Sequence, residues 1–140
     1  MLDTDSADGI YHLTLARPEK RNAINAALIQ ALEKAVAATP AAARVILISG
    51  QGSHFCAGLD LSEHQERDAR AVFEISQCWQ RVFNRLQERG LPVVVAMSGA
   101  VIGGGLELAV TGHVRVAERN TFYCLPEGRH GVFVGGGGSV

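Results

Sequence analysis

The chain has 140 residues, enough for one domain with a substantial core, and its formal net charge of −1 gives no electrostatic reason to bind nucleic acid. Its longest uncharged stretch, 91–106, is too short to cross a bilayer, so no membrane is expected, and its polar start carries no signal-peptide pattern. Three cysteines without motif spacing favour a reducing compartment over a disulfide framework, which predicts a cytoplasmic protein.

The first part of the chain predicts a loose end, a strand and a helix. Residues 1–9 are polar and are expected to be a flexible N-terminus ahead of a core domain that spans 10–140. Apolar and polar side chains alternate over 10–17, which is typical of a half-buried strand. Asn25 is a candidate N-cap for a helix over 26–38, because its side chain can accept a hydrogen bond from the first turn.

The remainder of the chain predicts further strands and helices in alternation. Buried strands are expected over 44–49 and 93–97, with a long amphipathic helix over 69–89 between them. The later elements are a short helix after the glycines at 103–105 and extended segments at 114–117 and 122–124. Strands and helices that alternate in this way predict an α/β fold with a parallel sheet and right-handed crossovers.

Residues 98–109 contain three consecutive glycines between a predicted buried strand and a short helix. The first N–H groups of a helix have no partner within it, and glycine lets another molecule approach the backbone closely. Such a turn can hold a negative charge, either a resting phosphate or an oxyanion that develops during a reaction. The sequence lacks the phosphate-binding motifs. On this pattern alone, an anion site and tight packing of helix against strand explain the glycines equally well.

Four short segments follow predicted strands, and open α/β sheets place their sites at the carboxyl ends of strands. The segments are RPEKRNAIN at 17–25, FCAGLDL at 55–61, GGGLELA at 103–109 and FYCLPE at 122–127. Together and in this order they resemble the crotonase superfamily, the enoyl-CoA hydratases and isomerases. The resemblance runs from about residue 10 to residue 140. It implies a crotonase-like spiral of β-β-α units with a parallel sheet, truncated before the helical C-terminal part.

The resemblance implies a role for each matched residue. The family's oxyanion hole consists of two backbone N–H groups, which here belong to Leu59 and Gly104. The two catalytic glutamates of the hydratase pattern match Glu107 and Glu127. The residues expected to bind coenzyme A, largely through their backbone, are Arg21, Ala23, Ala57, Gly58, Leu59, Asp60 and Leu61.

The activity implied by this resemblance is the addition of water across the 2,3-double bond of an acyl-CoA thioester, a lyase reaction of fatty acid metabolism. Two amides can stabilise the enolate oxygen, and two carboxyl groups can divide the proton transfers between a base and an acid. Coenzyme A is part of the substrate, so no cofactor and no metal are expected. A homo-oligomer, either a trimer or a dimer of trimers, is expected from the family.

Other readings of the same residues stay open at this point. Taken singly, Glu107 is explained by the favourable helix dipole and Glu127 by an exposed loop. Asp60 fits a loop-bonding role better than a catalytic one, and Cys56 fits a buried apolar position. The five histidines lack metal-ligand spacing. For the whole chain, the alternatives are an acyl-CoA double-bond isomerase, a hydratase-lyase, or a truncated inactive homologue that binds only coenzyme A or a partner chain.

Overall fold

The computed structural model describes residues 1–63, 69–131 and 133–136. Short 3-10 turns occur at Pro18–Lys20, Leu61–Glu63 and Glu127–His130. Within the described ranges the strands and helices are β1 (Leu2–Ala7), β2 (Ile10–Leu15), α1 (Ala26–Ala37), β3 (Val45–Gly50), α2 (Ala69–Glu88), β4 (Val93–Met97), β5 (Ala100–Ile102), α3 (Gly104–Val110), β6 (Val114–Ala117) and β7 (Phe122–Cys124).

The strands form one larger and one smaller sheet. The larger sheet has the order β1-β2-β3-β4-β6, and all its neighbours are parallel except β1 and β2. The smaller sheet pairs β5 with β7 in parallel. Consecutive parallel strands need a crossover connection, which α1 and α2 supply between β2 and β3 and between β3 and β4. The predicted α/β fold with a parallel sheet is therefore confirmed.

The core lies between the larger sheet and the helices. Buried and half-buried side chains alternate along β2, β3 and β4, as the two-residue period of a strand requires. Asn25 caps α1 as predicted, because its Oδ1 accepts a hydrogen bond of 2.9 Å from the Leu28 amide. Fully buried members of the core include Leu13, Leu15, Leu28, Leu32, Ile46, Ile48, Val82, Leu86 and Val95. None of the described helices is long and apolar enough to cross a membrane.

The N-terminal residues differ from the prediction. Residues 2–7 form β1 instead of a loose end, and they pair with β2 along its whole length. Asp8 and Gly9 form a two-residue turn, and both have positive φ, of 53° and 82°. An Asp-Gly pair is a strong hairpin signal because this turn requires positive φ at both positions. The side chains of β1 are polar because the strand lies at an exposed sheet edge, which is why their pattern did not indicate a strand.

Strand β5 was also not predicted. Its three residues lie inside the stretch that was expected to be a glycine turn. Its partners are distant in sequence, because β5 pairs with β7 and its central residue, Val101, forms a bridge with Cys56. So short a strand leaves no periodic pattern, and only these tertiary pairings define it.

Candidate active site

Backbone hydrogen bonds bring the four predicted segments to one place. The Cys56 amide donates to the Ala100 carbonyl at 3.0 Å, which joins the segment after β3 to β5. The Gly103 amide donates to the Cys124 carbonyl at 2.8 Å, which joins the glycine turn to the end of β7. The Ile24 amide donates to the Gly58 carbonyl at 2.7 Å and ties in the segment after β2. The motifs that were separate in the sequence are thus neighbours in the fold.

A cavity of about 120 Å³ lies where these segments meet α2. All four residues predicted for the oxyanion hole and for catalysis contribute to its wall. Among the described residues its lining is Leu59, Val72, Ile75, Ser76, Trp79, Gly104, Glu107, Glu127, Phe133, Gly135 and Gly136. A second recess of about 80 Å³ adjoins it and shares Leu59 and Glu127 with it. A larger groove of about 600 Å³ between α1 and α2 contains none of the four.

Two backbone amides of the cavity wall are available to a ligand. The carbonyl of Gly58 and the amide of Asp60 both bond to Ile24, so the amide of Leu59 between them faces the opposite side. Gly104 is the first residue of α3, where an amide has no partner within its own helix. Neither amide has a hydrogen-bond acceptor within the described part of the chain. Two such donors at one cavity are suited to stabilising an oxyanion.

The two glutamates reach the cavity from different elements. Glu107 lies in the first turn of α3, is only 5% exposed, and accepts a hydrogen bond of 2.7 Å from the Gly136 amide at its Oε1. Glu127 lies at the start of the last 3-10 turn, and its Oε2 is buried without a hydrogen-bond partner among the described residues. A buried carboxylate oxygen without a donor is costly. Glu127 therefore brings to the cavity wall a carboxylate with an unused acceptor among the described residues.

Each of the three consecutive glycines has its own packing reason. Gly103 has a φ of 52°, and a Cβ there would lie 2.6 Å from Glu127 Oε1. A Cβ on Gly104 would overlap the ring of Trp79. A Cβ on Gly105 would lie 2.6 Å from the Cys56 carbonyl oxygen. Tight packing of helix against strand therefore accounts for Gly105, whereas Gly103 makes room for a carboxylate of the candidate site.

The segments at 17–25 and 55–62 form a paired structure that we call the loop frame. Arg17 and Asp60 form an ion pair of 3.0 Å with side chains that are only 13% and 8% exposed. Hydrogen bonds to Asp60 from Ser62 and Arg17 lower the pKa of its carboxyl below the usual range. Asp60 therefore bonds the loop, as expected, and Arg17, which the sequence did not single out, is its partner.

The residues predicted to bind coenzyme A all lie in the loop frame. The Ala57 amide donates to the Arg21 carbonyl at 2.9 Å, and Arg17 Nη1 donates to the Ala23 carbonyl at 2.6 Å. Gly58 is buried, with a φ of 88°, and a Cβ there would lie 2.7 Å from the Ile102 carbonyl oxygen. Leu61 is 55% exposed at the rim. The structure brings these residues together beside the second recess, and coenzyme A binding by them stays a prediction.

The environment of Cys56 and the arrangement of the described metal-ligating side chains bear on two further expectations. Burial raises the pKa of Cys56 to about 12, and its thiol donates to the Asn22 carbonyl at 3.1 Å. Cys56 is therefore a buried thiol at neutral pH, as expected. No cluster of metal-ligating side chains occurs within residues 1–63, 69–131 and 133–136. His64 lies outside the described residues.

Several contributors to the cavity were not identified from the sequence. Trp79 lies on the predicted amphipathic helix, and it is both a buried core residue and part of the cavity wall. Ser76 and Gly136 were not singled out at all, although both line the cavity. The positions of Ser76 and Trp79 follow from how α2 packs on the sheet, which a helical period alone does not determine.

Comparisons with known proteins agree with this arrangement. A family model for enoyl-CoA hydratase/isomerase matches residues 5–140. The 2,3-dehydroadipyl-CoA hydratase of Escherichia coli is 39% identical over 129 residues, which cover 91% of this chain and 50% of that protein. A structure of a candidate enoyl-CoA hydratase from Rhodopseudomonas palustris is 51% identical to this chain, with a TM-score of 0.95. The match covers 99% of this chain and 54% of the Rhodopseudomonas palustris chain. A Thermobifida fusca structure in complex with acetoacetyl-CoA is 25% identical with a TM-score of 0.91, and the match covers 99% of this chain and 58% of that one.

The chain therefore belongs to the enoyl-CoA hydratase/isomerase family, and it has the crotonase-type fold of the solved members. The predicted resemblance and fold are both confirmed. The chain spans about half the length of the curated relatives it matches.

Proposed function

We propose that this chain carries the catalytic groups of an enoyl-CoA hydratase, which adds water across the 2,3-double bond of an acyl-CoA thioester. The observation that carries the proposal is the shared cavity, which is lined by Leu59, Gly104, Glu107 and Glu127. Hydration needs two donors for an enolate oxygen and two groups for the proton transfers. This cavity offers two unpartnered amides and two carboxyl groups, and the names of the family and its relatives point to the same chemistry.

The reaction assigns each group a task. The oxygen of water bonds to C3 while one carboxylate removes a proton from that water. The electron pair of the double bond moves to the thioester, and its oxygen becomes an enolate oxygen that receives hydrogen bonds from Leu59 and Gly104. Removing one such donor typically costs about 2.7–4 kcal/mol of transition-state stabilisation. The second carboxyl group then donates a proton to C2, which completes the addition.

The geometry of the two recesses suggests how the substrate lies. The larger cavity has apolar walls from α2, including Ile75 and Trp79, which suit an acyl chain. The smaller recess leads to Ala57 and Gly58, where the thioester would give way to coenzyme A. In this pose the thioester lies where the recesses meet, at Leu59, beside the amide expected to bind its oxygen. Coenzyme A belongs to the substrate, so the proposal includes neither a cofactor nor a metal.

The proposal also includes the biological setting that the sequence suggests. We expect a cytoplasmic homo-oligomer, a trimer or a dimer of trimers, that acts in fatty acid metabolism. The three cysteines are unpaired, which suits a reducing compartment. Exposed apolar side chains on β6 and β7 support the proposed oligomer.

A direct assay tests the proposal. The purified 140-residue chain is mixed with crotonyl-CoA, and loss of the absorbance of the conjugated thioester is followed, with mass spectrometry to detect the gain of one water. A full-length family member serves as the positive control. We expect slow but measurable hydration that Glu127→Gln and Glu107→Gln each lower by about 10²- to 10⁴-fold.

Other outcomes of the assay favour the alternatives. A shift of the double bond in a 3-enoyl-CoA without a change in mass would favour an isomerase. Cleavage of the hydrated product would favour a hydratase-lyase. Binding of coenzyme A esters without turnover, in a chain that folds, would contradict the proposal and favour a homologue that only binds.

A further inference from the structure

The carboxylate of Glu107 is connected to α2 through one peptide group. That peptide joins Gly135 to Gly136, and its N–H donates to Glu107 Oε1 at 2.7 Å. Its carbonyl oxygen accepts two hydrogen bonds, from Ser76 Oγ at 2.9 Å and from Gln80 Nε2 at 3.1 Å. Ser76 and Gln80 are four residues apart on α2, so they lie on the same face of the helix. Three polar groups therefore hold both ends of a single peptide.

We propose that Ser76 and Gln80 are positioning residues for Glu107, acting through the Gly135–Gly136 peptide. This inference rests on the proposed function, in which Glu107 transfers a proton. The peptide is planar, so fixing its carbonyl oxygen also fixes the direction of its N–H. Two donors on the carbonyl also polarise the peptide, which strengthens its N–H as a donor.

The packing around the two glycines supports a fixed geometry. A Cβ on Gly136 would lie 2.7 Å from Phe83 Cε2 and 3.2 Å from Glu107 Cδ, so a side chain at this position would separate the peptide from the carboxylate. A Cβ on Gly135 would lie 3.1 Å from Ser76 Oγ. A Cβ at Gly136 would force Phe83 to move, and one at Gly135 would fit only with a small shift of Ser76. The segment is therefore shaped to bring one peptide between α2 and α3.

The effect on catalysis follows from orientation. A carboxylate that transfers protons must lie within hydrogen-bond reach of its target, and a displacement of about 1 Å can cost about 10²-fold in rate. Without Ser76 and Gln80, the peptide can rotate and release Glu107. Turnover then falls, whereas binding of the coenzyme A portion at the loop frame is unchanged.

The first experiment compares kinetics of variants in the 140-residue chain. Gln80→Met and Ser76→Ala each remove one donor, and Gln77→Met, an exposed position on the same helix, is the matched control. We expect the double variant to lower kcat for crotonyl-CoA by about 10- to 100-fold with KM unchanged. Ser76→Thr keeps the hydroxyl and should restore most of the activity. A purely structural tether would instead raise KM or lower the melting temperature with kcat intact.

The second experiment does not depend on activity. The amide signal of Gly136 is followed by nitrogen-15 NMR as pH changes, because an N–H bonded to a carboxylate reports the ionisation of that carboxylate. Glu107→Gln is the control variant: if the change of the Gly136 signal with pH comes from the Glu107 carboxylate, this variant should lack it. We expect the response in the parent chain and in Gln77→Met, and its loss in the Ser76→Ala/Gln80→Met double variant.

The two readouts separate this inference from the proposed function. If the parent lacks hydratase activity but the double variant still loses the Gly136 response, the proposed function is wrong and the positioning contact stands. If the double variant keeps the Gly136 response, the positioning inference is overturned, whether or not the parent is active. A folded double variant with the kcat of the parent would overturn it as well.

Discussion

The loop frame and the β6–β7 side of the molecule are built in opposite ways. The loop frame has a buried ion pair between Arg17 and Asp60 and several backbone hydrogen bonds between segments far apart in sequence. The side chains of β6 and β7 are exposed throughout. Their large apolar members, together with the residue directly after β7, are between 49% and 57% exposed, and we call them the β6–β7 surface: Val114, Val116, Phe122, Tyr123 and Leu125.

This difference separates a region that is held together by its own contacts from a region that exposes apolar side chains to water. The two segments of the loop frame are tied together by the Arg17–Asp60 ion pair and by backbone hydrogen bonds, and the Leu59 amide is left available on the cavity side. The β6–β7 surface leaves apolar side chains in water, and β6 is an edge strand of the larger sheet. Exposed apolar patches and free strand edges favour association. In β3 and β4, by contrast, alternate side chains such as Ile46, Ile48 and Val95 are fully buried, and the residues between them are half-buried.

The largest effect should come from the two glutamates beside the loop frame. Glu107→Gln and Glu127→Gln each remove one proton-transfer group and should lower hydration of crotonyl-CoA by about 10²- to 10⁴-fold. Binding of coenzyme A esters, measured by calorimetry, should stay close to that of the parent. Near-normal hydration by either variant would show that the corresponding carboxyl group is not catalytic.

The next largest effect concerns how much the buried ion pair of the loop frame contributes to the stability of the fold. Arg17→Met leaves the Asp60 carboxylate buried without its ion-pair partner, which should lower the free energy of unfolding by about 3–5 kcal/mol. Arg70→Met, which breaks an ion pair whose side chains are 87% and 62% exposed, is the matched control and should cost at most about 0.5 kcal/mol. The free energies of unfolding are measured by urea denaturation. Equal decreases for the two variants would contradict the claim that the buried ion pair contributes more to stability than the exposed one.

The loop frame also predicts a pH dependence. The pKa of Asp60 is lowered in the folded chain, so its carboxylate stabilises the fold fully above the ordinary aspartate pKa of about 3.9. That stabilisation is lost as pH falls through the lower pKa of the folded state. Asp60→Asn should therefore be less stable than the parent at neutral pH, with a difference that narrows on acidification below about pH 4. A constant difference from neutral to acidic pH would contradict the role of the Asp60 charge.

A smaller effect is expected at the glycines. Gly104→Ala puts a Cβ into the ring of Trp79, and overpacking of this kind typically costs about 1–3 kcal/mol of stability. Trp79→Leu should relieve that cost in the double variant, as a double-mutant cycle on unfolding free energies would show. Gly128→Ala is the control, because a Cβ there meets nothing within 4 Å. If Trp79→Leu brings no relief, the steric conflict lies with something other than the ring.

The smallest effect on folding should come from the β6–β7 surface. Val116→Lys replaces a side chain that is 57% exposed, so the free energy of unfolding should change by at most about 0.5 kcal/mol. The same change should reduce self-association of the chain, measured by light scattering, because the exposed apolar surface drives it. A parent chain that is already a compact monomer with a sharp cooperative melt would contradict this prediction.

The sequence by itself determined the elements that have a local signature. The Asn25 cap and the apolar face that follows it define α1, and the helical period defines α2 to within one residue at its end. The family that the four short motifs resemble predicted the fold, which is confirmed. The same resemblance named Leu59, Gly104, Glu107 and Glu127, which the structure brings to one cavity and whose catalytic roles stay predictions. Local periodicity and turn chemistry act between near neighbours, so the sequence displays them directly.

Only the tertiary structure decided which distant groups meet. Strand β5 exists because β7 and Cys56 pair with it, and Oε1 of Glu127 lies close to Gly103 because two loops converge there. The contact of Trp79 with Gly104 and the hydrogen bonds from Ser76 to Gly135 and from Gly136 to Glu107 likewise join elements far apart in sequence. Such contacts depend on how α2 and the sheet pack together, and a helical or strand period carries no information about the partner.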